Sequence, residues 1–430
     1  MRIMIDGMNL ALEQGTGVAT YSKNLSYCIR RNGHEIVALY GKPMRAYDDP
    51  LLREAMFFDN YKDPPFFRND EFFRNAINSF LPTRASEIPL TDKVLKDHIA
   101  GSLPDVDAYM NANRLFKIAD MRTYMHRGVL NIHLPKPIDI AHWTYPIPAR
   151  IVGAKNIYTL HDLVPLKLPY TTLDSKSRYF RALMKLKQTA DHFVTVSETS
   201  KADIVDMLGV DESFVTNTYQ SVRIPQTLLD DPMEQLQINL DAMNIDADLG
   251  PGGFYLFVGA IEPKKNLKRV VEAYLQSGVK LPFIVVGRKA WQFEEVMSLI
   301  KRSSHIHYLD YLPFNQLITL LRAARGVFFP SLYEGFGLPV LEAFLCGAPV
   351  VTANASSTRE IAGDGAILVD PYNTTEIRDA FRTLEESGTE QFRFEMTERG
   401  RAQADLFTEE KIAANLEEMY QRVMAQPARK

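Results

Sequence analysis

The sequence predicts an α/β protein with two domains, each built around a doubly wound parallel sheet. Its 430 residues are more than one hydrophobic core normally holds. Short apolar strands alternate with helical segments in both halves, as they do in parallel sheets that are covered by helices. A polar stretch over residues 226–252, which contains Pro232 and Gly250-Pro-Gly-Gly253, predicts a linker between the two halves.

Five strands and one helix are predicted in the first half. The helix covers Ala19–Arg31 and ends at Gly33. The strands cover Arg2–Ile5, Glu35–Tyr40, Ile138–His142, Asn156–Leu160 and His192–Val196. Residues 43–135 contain few clear strands and many phenylalanines, so we expect a helical insertion whose aromatic rings pack inward. Contact of some of these rings with an acceptor lipid or a bilayer surface is the alternative.

Six further strands are predicted in the second half, at Phe254–Val258, Phe283–Val286, Ile306–Tyr308, Gly326–Phe329, Val350–Thr352 and Ala366–Val369. A last helix over about Glu409–Met424 has apolar residues at helical spacing and is expected to cross back to the first domain. We therefore expect an N-terminal domain at 1–235, a C-terminal domain at 236–407 and the crossing helix within 408–430.

Charge and cysteine content restrict the class of protein. A formal net charge of −4 argues against a nucleic-acid-binding protein. Cys28 and Cys346 are too far apart for zinc-site spacing and give no disulfide framework, which favours a reducing cytosol. The N-terminus lacks an apolar signal core, and no stretch reaches the ~18 apolar residues of a membrane span. We expect a cytoplasmic protein, and peripheral contact with the cytoplasmic face of the inner membrane stays open.

Two glutamates flank a glycine-rich turn in the segment Ser331–Gly347. Glu334 lies on a loop, and Glu342 lies one turn into a helix predicted to begin near Pro339 and to end at Gly347. Free N–H groups at a helix start attract anions, and carboxylates accept hydrogen bonds from hydroxyl groups. A ligand with both phosphate and hydroxyl groups is therefore expected, and a nucleotide sugar has both.

Motifs along the whole chain extend this expectation to a family. With the two-glutamate segment, the chain resembles the family 4 retaining glycosyltransferases of GT-B fold, and within them the mannosyltransferase-like branch of bacterial surface polysaccharide synthesis. The motifs that carry the resemblance are Gly15-Thr-Gly-Val-Ala-Thr-Tyr21, Thr159-Leu-His-Asp-Leu-Val-Pro165, Val194-Thr-Val-Ser-Glu-Thr-Ser-Lys201, Gly259-Ala-Ile-Glu-Pro-Lys-Lys-Asn-Leu267, Gly347-Ala-Pro-Val-Val-Thr352 and Ile361-Ala-Gly-Asp-Gly365. They frame the chain except for residues 43–135.

The resemblance implies two Rossmann-like domains that face a cleft, with the donor on the C-terminal domain and the acceptor on the N-terminal domain. In the family pattern, Glu342 bonds the ribose hydroxyls and Glu334 approaches the hydroxyls of the transferred sugar. Leu312 matches a position whose backbone meets the nucleobase. The backbone of the turn near the diphosphate and sugar comprises Gly335, Phe336, Gly337 and Leu338.

Lys265 is expected to stabilise the leaving nucleoside diphosphate, because an ammonium group acts as a point charge on phosphate. It follows the predicted strand Phe254–Val258, and Gly259 directly after that strand is also assigned to donor binding. It precedes a helix over Leu267–Leu275 that Asn266 is expected to cap, so the helix N-terminus adds to the lysine charge.

One position departs from the family pattern. Many relatives carry an arginine where this chain has Ala260, so one phosphate contact is missing or comes from elsewhere. Arg288 follows Gly287 at the end of another predicted strand, and we expect it to substitute.

The acceptor side is assigned to two other loops. His161 and Asp162 follow a predicted strand, at the sheet edge where ligand sites of α/β proteins lie. The family places a histidine here beside the reacting sugar, so His161 is expected to orient substrates by hydrogen bonds and need not be a nucleophile. Gly15, Thr16 and Gly17 resemble the loop that approaches the donor phosphates and the acceptor, and Gly17 lets backbone come close to a ligand.

The implied reaction is a retaining, metal-independent transfer of a hexose, and mannose from GDP-mannose is the donor that we expect. The acceptor is expected to be a lipid-linked or growing polysaccharide, and no cofactor is expected. His161, Lys265 and Glu334 are the expected catalytic residues. A donor based on UDP or dTDP, a GT-B sugar-nucleotide epimerase and an inactive scaffold remain as alternatives.

Two other enzyme classes fit the spacing poorly. Gly15-Thr-Gly-Val-Ala-Thr20 loosely resembles a dinucleotide fingerprint, but eight residues separate Gly15 from Asp6 at the strand end, which argues against an NAD-dependent oxidoreductase. Asp105-Val-Asp107 and Asp246-Ala-Asp248 have the spacing of a metal-binding Asp-x-Asp motif, but neither follows a clear strand. We interpret both as turn residues and expect activity that survives EDTA.

Overall fold

The computed structural model describes residues 1–10, 17–44, 47–59, 75–95, 104–125, 128–173, 175–245, 249–386 and 390–427. Its two large β-sheets are buried on both faces. In the first strand, Ile3 and Ile5 face one apolar core while Met4 faces another. In the first strand of the second sheet, Leu256 and its neighbour Phe257 likewise face opposite cores. Burial on both faces is what parallel sheets between helical layers require.

The first sheet has eight strands in the spatial order β11-β10-β9-β7-β1-β2-β5-β4. A small sheet of β3, β6 and β8 lies beside it. The strands are β1 Arg2–Asp6, β2 Glu35–Tyr40, β3 Thr83–Arg84, β4 Ser86–Ile88, β5 Ala108–Asn111, β6 Leu130–His133, β7 Ile140–Trp143, β8 Ala149–Ile151, β9 Lys155–Thr159, β10 His192–Thr195 and β11 Val215–Asn217. All strand pairs of the first sheet are parallel except β4 with β5.

The expected helical insertion at 43–135 is wrong for the described part of that stretch, which contains sheet strands. Strand β5 pairs in parallel with β2, with Ala38 opposite Tyr109, and so belongs to the main sheet. Helices also occur here, and Phe57 on one of them is buried as expected. Four of the other phenylalanines, Phe66, Phe67, Phe72 and Phe73, lie outside the described residues.

The second sheet has six strands, all parallel, in the order β14-β13-β12-β15-β16-β17. The six predicted strands of this half are confirmed, and Phe283–Val286 has the predicted bounds. The strands are β12 Tyr255–Val258, β13 Phe283–Val286, β14 Ile306–Leu309, β15 Gly326–Phe329, β16 Val350–Ala353 and β17 Ala366–Val369.

Helices connect the strands and cover both sheets. With the first sheet are α1 Gly17–Arg31, α2 Pro50–Phe58, α3 Leu115–Tyr124, α4 Val164–Lys167, α5 Lys176–Thr189 and α6 Glu198–Leu208. Later in the chain are α7 Gln226–Leu229, α8 Met233–Asp241, α9 Leu267–Ser277, α10 Glu294–Ile300, α11 Phe314–Ala323, α12 Leu338–Leu345, α13 Ser356–Ala362, α14 Thr374–Glu386, α15 Glu390–Ala404 and α16 Glu409–Ala425. Within the described ranges, no helix is long and apolar enough to cross a membrane.

The stretch between the sheets is more structured than a polar linker. Leu236 and Leu240 on α8 are buried. Arg322 of α11 donates hydrogen bonds to the carbonyls of Leu228 (2.9 Å) and Asp231 (2.7 Å). The expected domain boundary at 235 therefore falls inside a helix that packs on the second half, because its apolar face needs a partner.

The last helix, α16, packs against α1 of the first half. Asn32 donates a hydrogen bond to the carbonyl of Ala413 (2.8 Å), and Nε2 of His34 lies 2.6 Å from Oε2 of Glu417. Its apolar positions Ile412, Leu416, Met419 and Val423 are all buried. The chain therefore ends by contacting the half in which it began.

Candidate active site

A cleft of about 490 Å³ opens between the loops that follow the strands of the two sheets. It brings together all the site residues predicted from the sequence that the structure describes. These are Gly17, His161, Asp162, Gly259, Lys265, Arg288, Leu312, Glu334, Gly335, Phe336, Gly337, Leu338 and Glu342. The predicted residues Gly15 and Thr16 lie outside the described residues.

Lys265 and Glu334 form an ion pair on the wall contributed by the second sheet. The Nζ atom of Lys265 lies 2.6 Å from Oε1 of Glu334 and 4.8 Å from the ring centre of Phe329. Lys264 lies 3.9 Å from the other carboxylate oxygen. Burial alone raises the pKa of Glu334, but the two lysines outweigh it and hold that pKa below its usual range. Glu334 is therefore a carboxylate at neutral pH and an acceptor for hydroxyl groups.

The loop that carries Glu334 is fixed by two serines at the start of α13. Ser356 Oγ accepts a hydrogen bond from the Glu334 amide (3.2 Å). Ser357 Oγ lies 2.8 Å from the carbonyl of Glu334 and 3.1 Å from that of Phe336. The next residue, Gly337, has a φ of 101°, which favours glycine. The carboxylate thus projects from a backbone with little freedom to move.

At Gly335 the two halves of the molecule touch beside the site. A Cβ atom at this position would lie 2.4 Å from the carbonyl oxygen of His161. Ser200 Oγ lies 2.9 Å from that carbonyl and 3.3 Å from the carbonyl of Gly335. Glycine is therefore required for the turn that carries Glu334 and the His161 loop to touch.

Glu342 faces the cleft from the first turns of α12 without a hydrogen bond or ion pair to its carboxylate among the described residues. Burial raises its pKa to about 7. A carboxylate in this state has unused acceptor capacity, and ligand hydroxyls can satisfy it. Helix α12 begins at Leu338 with Pro339 in its first turn, as predicted.

His161 is held at the cleft by two contacts. Its Nε2 atom donates a hydrogen bond to the carbonyl of Thr144 (2.9 Å), because a carbonyl oxygen can only accept. The ring of Tyr21 meets the imidazole edge-on, with centroids 4.7 Å apart. Burial lowers the pKa of His161, so the ring is neutral at pH 7 and its Nδ1 atom is an acceptor. The adjacent Asp162 accepts a hydrogen bond from the amide of Val164 (3.1 Å).

Arg288 extends the positive charge of the site. Its side chain is exposed at the cleft, with no ion-pair partner among the described residues, whereas Ala260 on the same wall offers no charge. The preceding residue, Gly287, approaches the neighbouring strand end closely: a Cβ there would lie 1.8 Å from the carbonyl oxygen of Gly259. This approach brings the loops after β12 and β13 into one cleft wall.

Asn266 does not cap helix α9, which corrects the expectation from the sequence. The residue has a left-handed backbone with φ 62° and makes no side-chain cap hydrogen bond. Its amide instead donates to the carbonyls of Pro330 (3.0 Å) and Pro371 (2.7 Å). It thereby joins the turn that carries Lys265 to two neighbouring loops.

Comparison with known proteins agrees with this arrangement. Residues 250–403 match the family described as Glycosyl transferases group 1, and residues 92–217 match Glycosyltransferase Family 4. The chain is 30% identical over 433 residues to the MMP alpha-(1->4)-mannosyltransferase of Mycolicibacterium hassiacum, covering 96% of each chain. The chain belongs to the family 4 glycosyltransferases.

Two further comparisons concern the activity of a relative and the fold. It is 29% identical over 302 residues to the O-antigen chain mannosyltransferase B of Escherichia coli, covering 68% of this chain and 72% of that protein. Its fold matches Anabaena HepE, solved in complex with UDP-glucose, with a TM-score of 0.61, 16% identity and coverage of 98% and 100%. The glycosyltransferase therefore has the GT-B fold and is a hexosyltransferase.

Several residues at the cleft of the glycosyltransferase were not predicted. Glu262, Asp310 and Tyr311 line it, and Glu262 directly precedes Pro263-Lys-Lys265 inside a motif already identified. An acidic side chain so close in sequence to two lysines could have identified Glu262 as a residue of the cleft. By contrast, Asp105 and Asp107 pair with Arg30, at 3.5 and 2.8 Å, and have a structural role. Asp246 and Asp248 lie outside the described residues.

Glu360 is a further residue that sequence patterns did not single out. Its carboxylate oxygens accept hydrogen bonds from the amides of Glu198 (2.9 Å) and Thr199 (3.1 Å), at the N-terminus of α6. A carboxylate is favourable there because the helix N-terminus carries partial positive charge. Since Glu360 belongs to α13 and α6 covers the first sheet, this contact ties the two halves together beside the cleft.

Proposed function

We propose that the glycosyltransferase transfers mannose from GDP-mannose to a lipid-linked or growing polysaccharide, with retention of anomeric configuration and without a metal ion. The observation that carries the proposal is the row of Glu334, Lys265 and Glu342 along one wall of the cleft. The choice of mannose rests on the similarity to mannosyltransferases, one of them over nearly the whole chain.

The donor would lie along the second-half wall of the cleft. Glu342 would accept hydrogen bonds from the ribose hydroxyls, and Glu334 from hydroxyls of the transferred sugar. Lys265 and Arg288 would neutralise the diphosphate, assisted by the free amides at the start of α12. Leu312 would contact the base through its backbone. These positive groups stabilise the charge that develops on the leaving nucleoside diphosphate, a role that metal ions fill in other transferases.

The acceptor would approach past Gly17, Asp162 and His161. In a retaining transfer, the bond from the sugar C1 to the phosphate oxygen breaks and the acceptor oxygen bonds C1 on the same face. The departing phosphate oxygen takes the acceptor proton. Neutral His161 donates from Nε2 to Thr144, so only Nδ1 is available to accept a hydrogen bond from a substrate hydroxyl. His161 therefore orients a substrate and forms no covalent intermediate.

Exposed apolar side chains on the first half support contact with a lipid-linked acceptor at the cytoplasmic face of the inner membrane. Within residues 51–95, exposed large apolar side chains include Leu51, Leu52, Ile77, Leu81, Leu90 and Leu95. Such side chains bury favourably at a bilayer interface. Co-sedimentation with anionic lipid vesicles tests this contact: L81D/L95D should reduce the bound fraction, and equal binding of the variant would remove the contact from the proposal.

The donor is tested by measuring transfer and thermal stabilisation with GDP-mannose, UDP-glucose and dTDP-glucose. We expect transfer with GDP-mannose, and the largest rise in apparent stability with GDP, because a nucleotide that binds only the folded state stabilises it. Transfer with a UDP- or dTDP-sugar alone would reassign the donor. Isomerisation of the sugar without an acceptor would indicate an epimerase. Absence of turnover with every donor would indicate an inactive scaffold.

A further inference from the structure

A second cavity of about 500 Å³ adjoins the donor cleft. Glu262 lines both cavities; Pro263 lines the second one, while Lys264 and Lys265 line the cleft. Lys264 also lies 3.9 Å from Glu262 and 3.9 Å from Glu334, so it links the two cavities by charge. The two cavities therefore meet at Glu262, which lines both of them.

Two tyrosines from different halves of the molecule stand at the rim of this cavity. Tyr170 is 63% exposed and follows the loop of His161, whereas Tyr372 is 54% exposed and follows β17. Burial raises the pKa of Tyr372, and the electrostatic interaction of the two hydroxyl groups with each other raises it further. The guanidinium of Arg269 lies 5.3 Å from the ring centre of Tyr372 and holds that ring in place. Large exposed rings fixed in this way offer an apolar face with a polar edge.

The polar side chains of the lining carry mixed charge and lie beside apolar residues that include Leu267, Val296 and Leu332. Arg269 donates to Oδ1 of Asn266 (2.9 Å), while Gln292 and Glu294 are exposed at the cavity. Planar amide, carboxylate and guanidinium groups bind hydroxyl groups well. Because basic and acidic side chains are interspersed, the lining disfavours a phosphorylated or strongly charged ligand. Its volume lies in the range of small-molecule sites.

We propose that this tyrosine groove, formed by Tyr170, Tyr372, Arg269, Glu262, Gln292 and Glu294, binds a neutral oligosaccharide. Its occupant is the part of the acceptor that lies beyond the sugar residue receiving the transfer. The inference rests on the proposed function, since only a polysaccharide acceptor has such a part. Aromatic rings pack on the C–H faces of sugar rings, and the planar polar groups bind the hydroxyls.

Direct binding tests the groove independently of turnover. An α-linked mannotetraose is titrated calorimetrically into the full chain without donor. Tyr170→Ala and Tyr372→Ala should each weaken binding about threefold to tenfold, the range that one aromatic contact contributes. Tyr124→Ala is the matched control, because it removes a tyrosine of similar exposure (52%) that lines neither cavity. Absence of binding to the wild-type chain, or unchanged affinity in both groove variants, would overturn the proposal.

Kinetics then locate the bound segment. With GDP-mannose as donor, Tyr372→Ala should raise KM for mannotetraose about threefold to tenfold, as it weakens binding. It should leave KM for methyl α-mannoside unchanged. An equal rise in KM for both acceptors would contradict a binding site for sugars beyond the one that receives the transfer. If the wild-type chain transfers to neither acceptor, the proposed function fails while the calorimetric titration still decides the groove.

Discussion

The Nζ atom of Lys265 lies 2.6 Å from Oε1 of Glu334, although the two residues are 69 positions apart along the chain. Each residue alone suggests one ligand contact, to phosphate and to sugar. As a partly buried pair they have a joint role, because the lysine keeps the carboxylate ionised and the carboxylate fixes the ammonium beside the expected leaving group. The pair thus fixes one positive and one negative charge on one wall of the cleft.

Replacing Lys265 should therefore reduce both activity and stability. Lys265→Ala leaves Glu334 buried with only the more distant Lys264, so unfolding free energy should fall by ~3 kcal/mol. Turnover should fall at least ~100-fold, because a charge aimed at the leaving group is lost. Urea unfolding and initial rates measure the two effects. Lys264→Ala is the control, because Lys264 lies 3.9 Å from the same carboxylate. It should reduce stability and turnover less than Lys265→Ala does. A larger loss of stability and turnover in Lys264→Ala would show that Lys264, and not Lys265, has this role.

Glu342 should make stability and nucleotide binding respond to pH in opposite directions. Burial raises its pKa from 4.5 to about 7, so the folded state holds the proton more tightly than the unfolded state. The resulting destabilisation is absent below about pH 4.5, grows between these values and is complete above about pH 7. Glu342→Gln should match the wild type at about pH 4 and exceed its stability by ~3 kcal/mol at about pH 8.

The same variant should bind GDP more weakly than the wild type at about pH 8, since a carboxylate accepts hydrogen bonds from ribose hydroxyls better than an amide. Wild-type affinity should decline as the pH falls below about 7, and the variant should lose that dependence. Calorimetric titrations at several pH values measure both trends. A stability gain that is the same at acid and alkaline pH would show that Glu342 does not titrate as proposed.

His161 should affect turnover and leave donor binding intact. His161→Ala removes the Nδ1 acceptor at the acceptor side of the cleft, and we expect turnover to fall ~100-fold, typical of a group that positions protons or hydroxyls. The dissociation constant of GDP should stay within about twofold. Tyr21→Phe, which keeps the ring against His161 and removes only a hydroxyl, is the control and should retain most activity. Equal losses in turnover and nucleotide affinity speak against the assigned role.

Gly335→Ala should separate the two loops that meet at the site. The added methyl group would lie 2.4 Å from the carbonyl oxygen of His161, and backbone must move to admit it. We expect a loss of ~1–3 kcal/mol in stability together with reduced turnover. Gly250→Ala is the control, since its nearest contact is an ordinary 3.6 Å to Gln237. Normal melting temperature and activity in the Gly335 variant would mean that the loops need not touch.

The sequence predicted long, regular features better than short ones. The β13 strand was predicted at its observed bounds because an apolar run between breakers defines it. Strand β5 was missed since four residues, Ala108–Asn111, give no clear pattern and join the sheet only by pairing with β2. Asn266 was misassigned as a cap because its amide bonds Pro330 and Pro371, loops distant in sequence.

Site residues could likewise be predicted where a local motif contains them, and could not where only the fold brings them together. Glu334, Glu342 and His161 could be identified since each lies in a motif at a strand or helix end. Their mutual geometry could not, because contacts such as Ser200 with Gly335 join residues far apart in the chain. Glu360 could not be assigned either, since its partners lie in the other half of the molecule: the backbone amides of Glu198 and Thr199, which carry no sequence signal, and the Thr199 hydroxyl.

Proton NMR of the first-formed product tests the proposed reaction most directly. GDP-α-mannose and α-mannotetraose are incubated with the wild-type chain in buffer with EDTA, and the new anomeric signal is followed. The proposal predicts a pentasaccharide whose added mannose is α-linked, at a rate that EDTA does not reduce. A β-linked product, loss of transfer with EDTA, or transfer only from a different sugar nucleotide would contradict it.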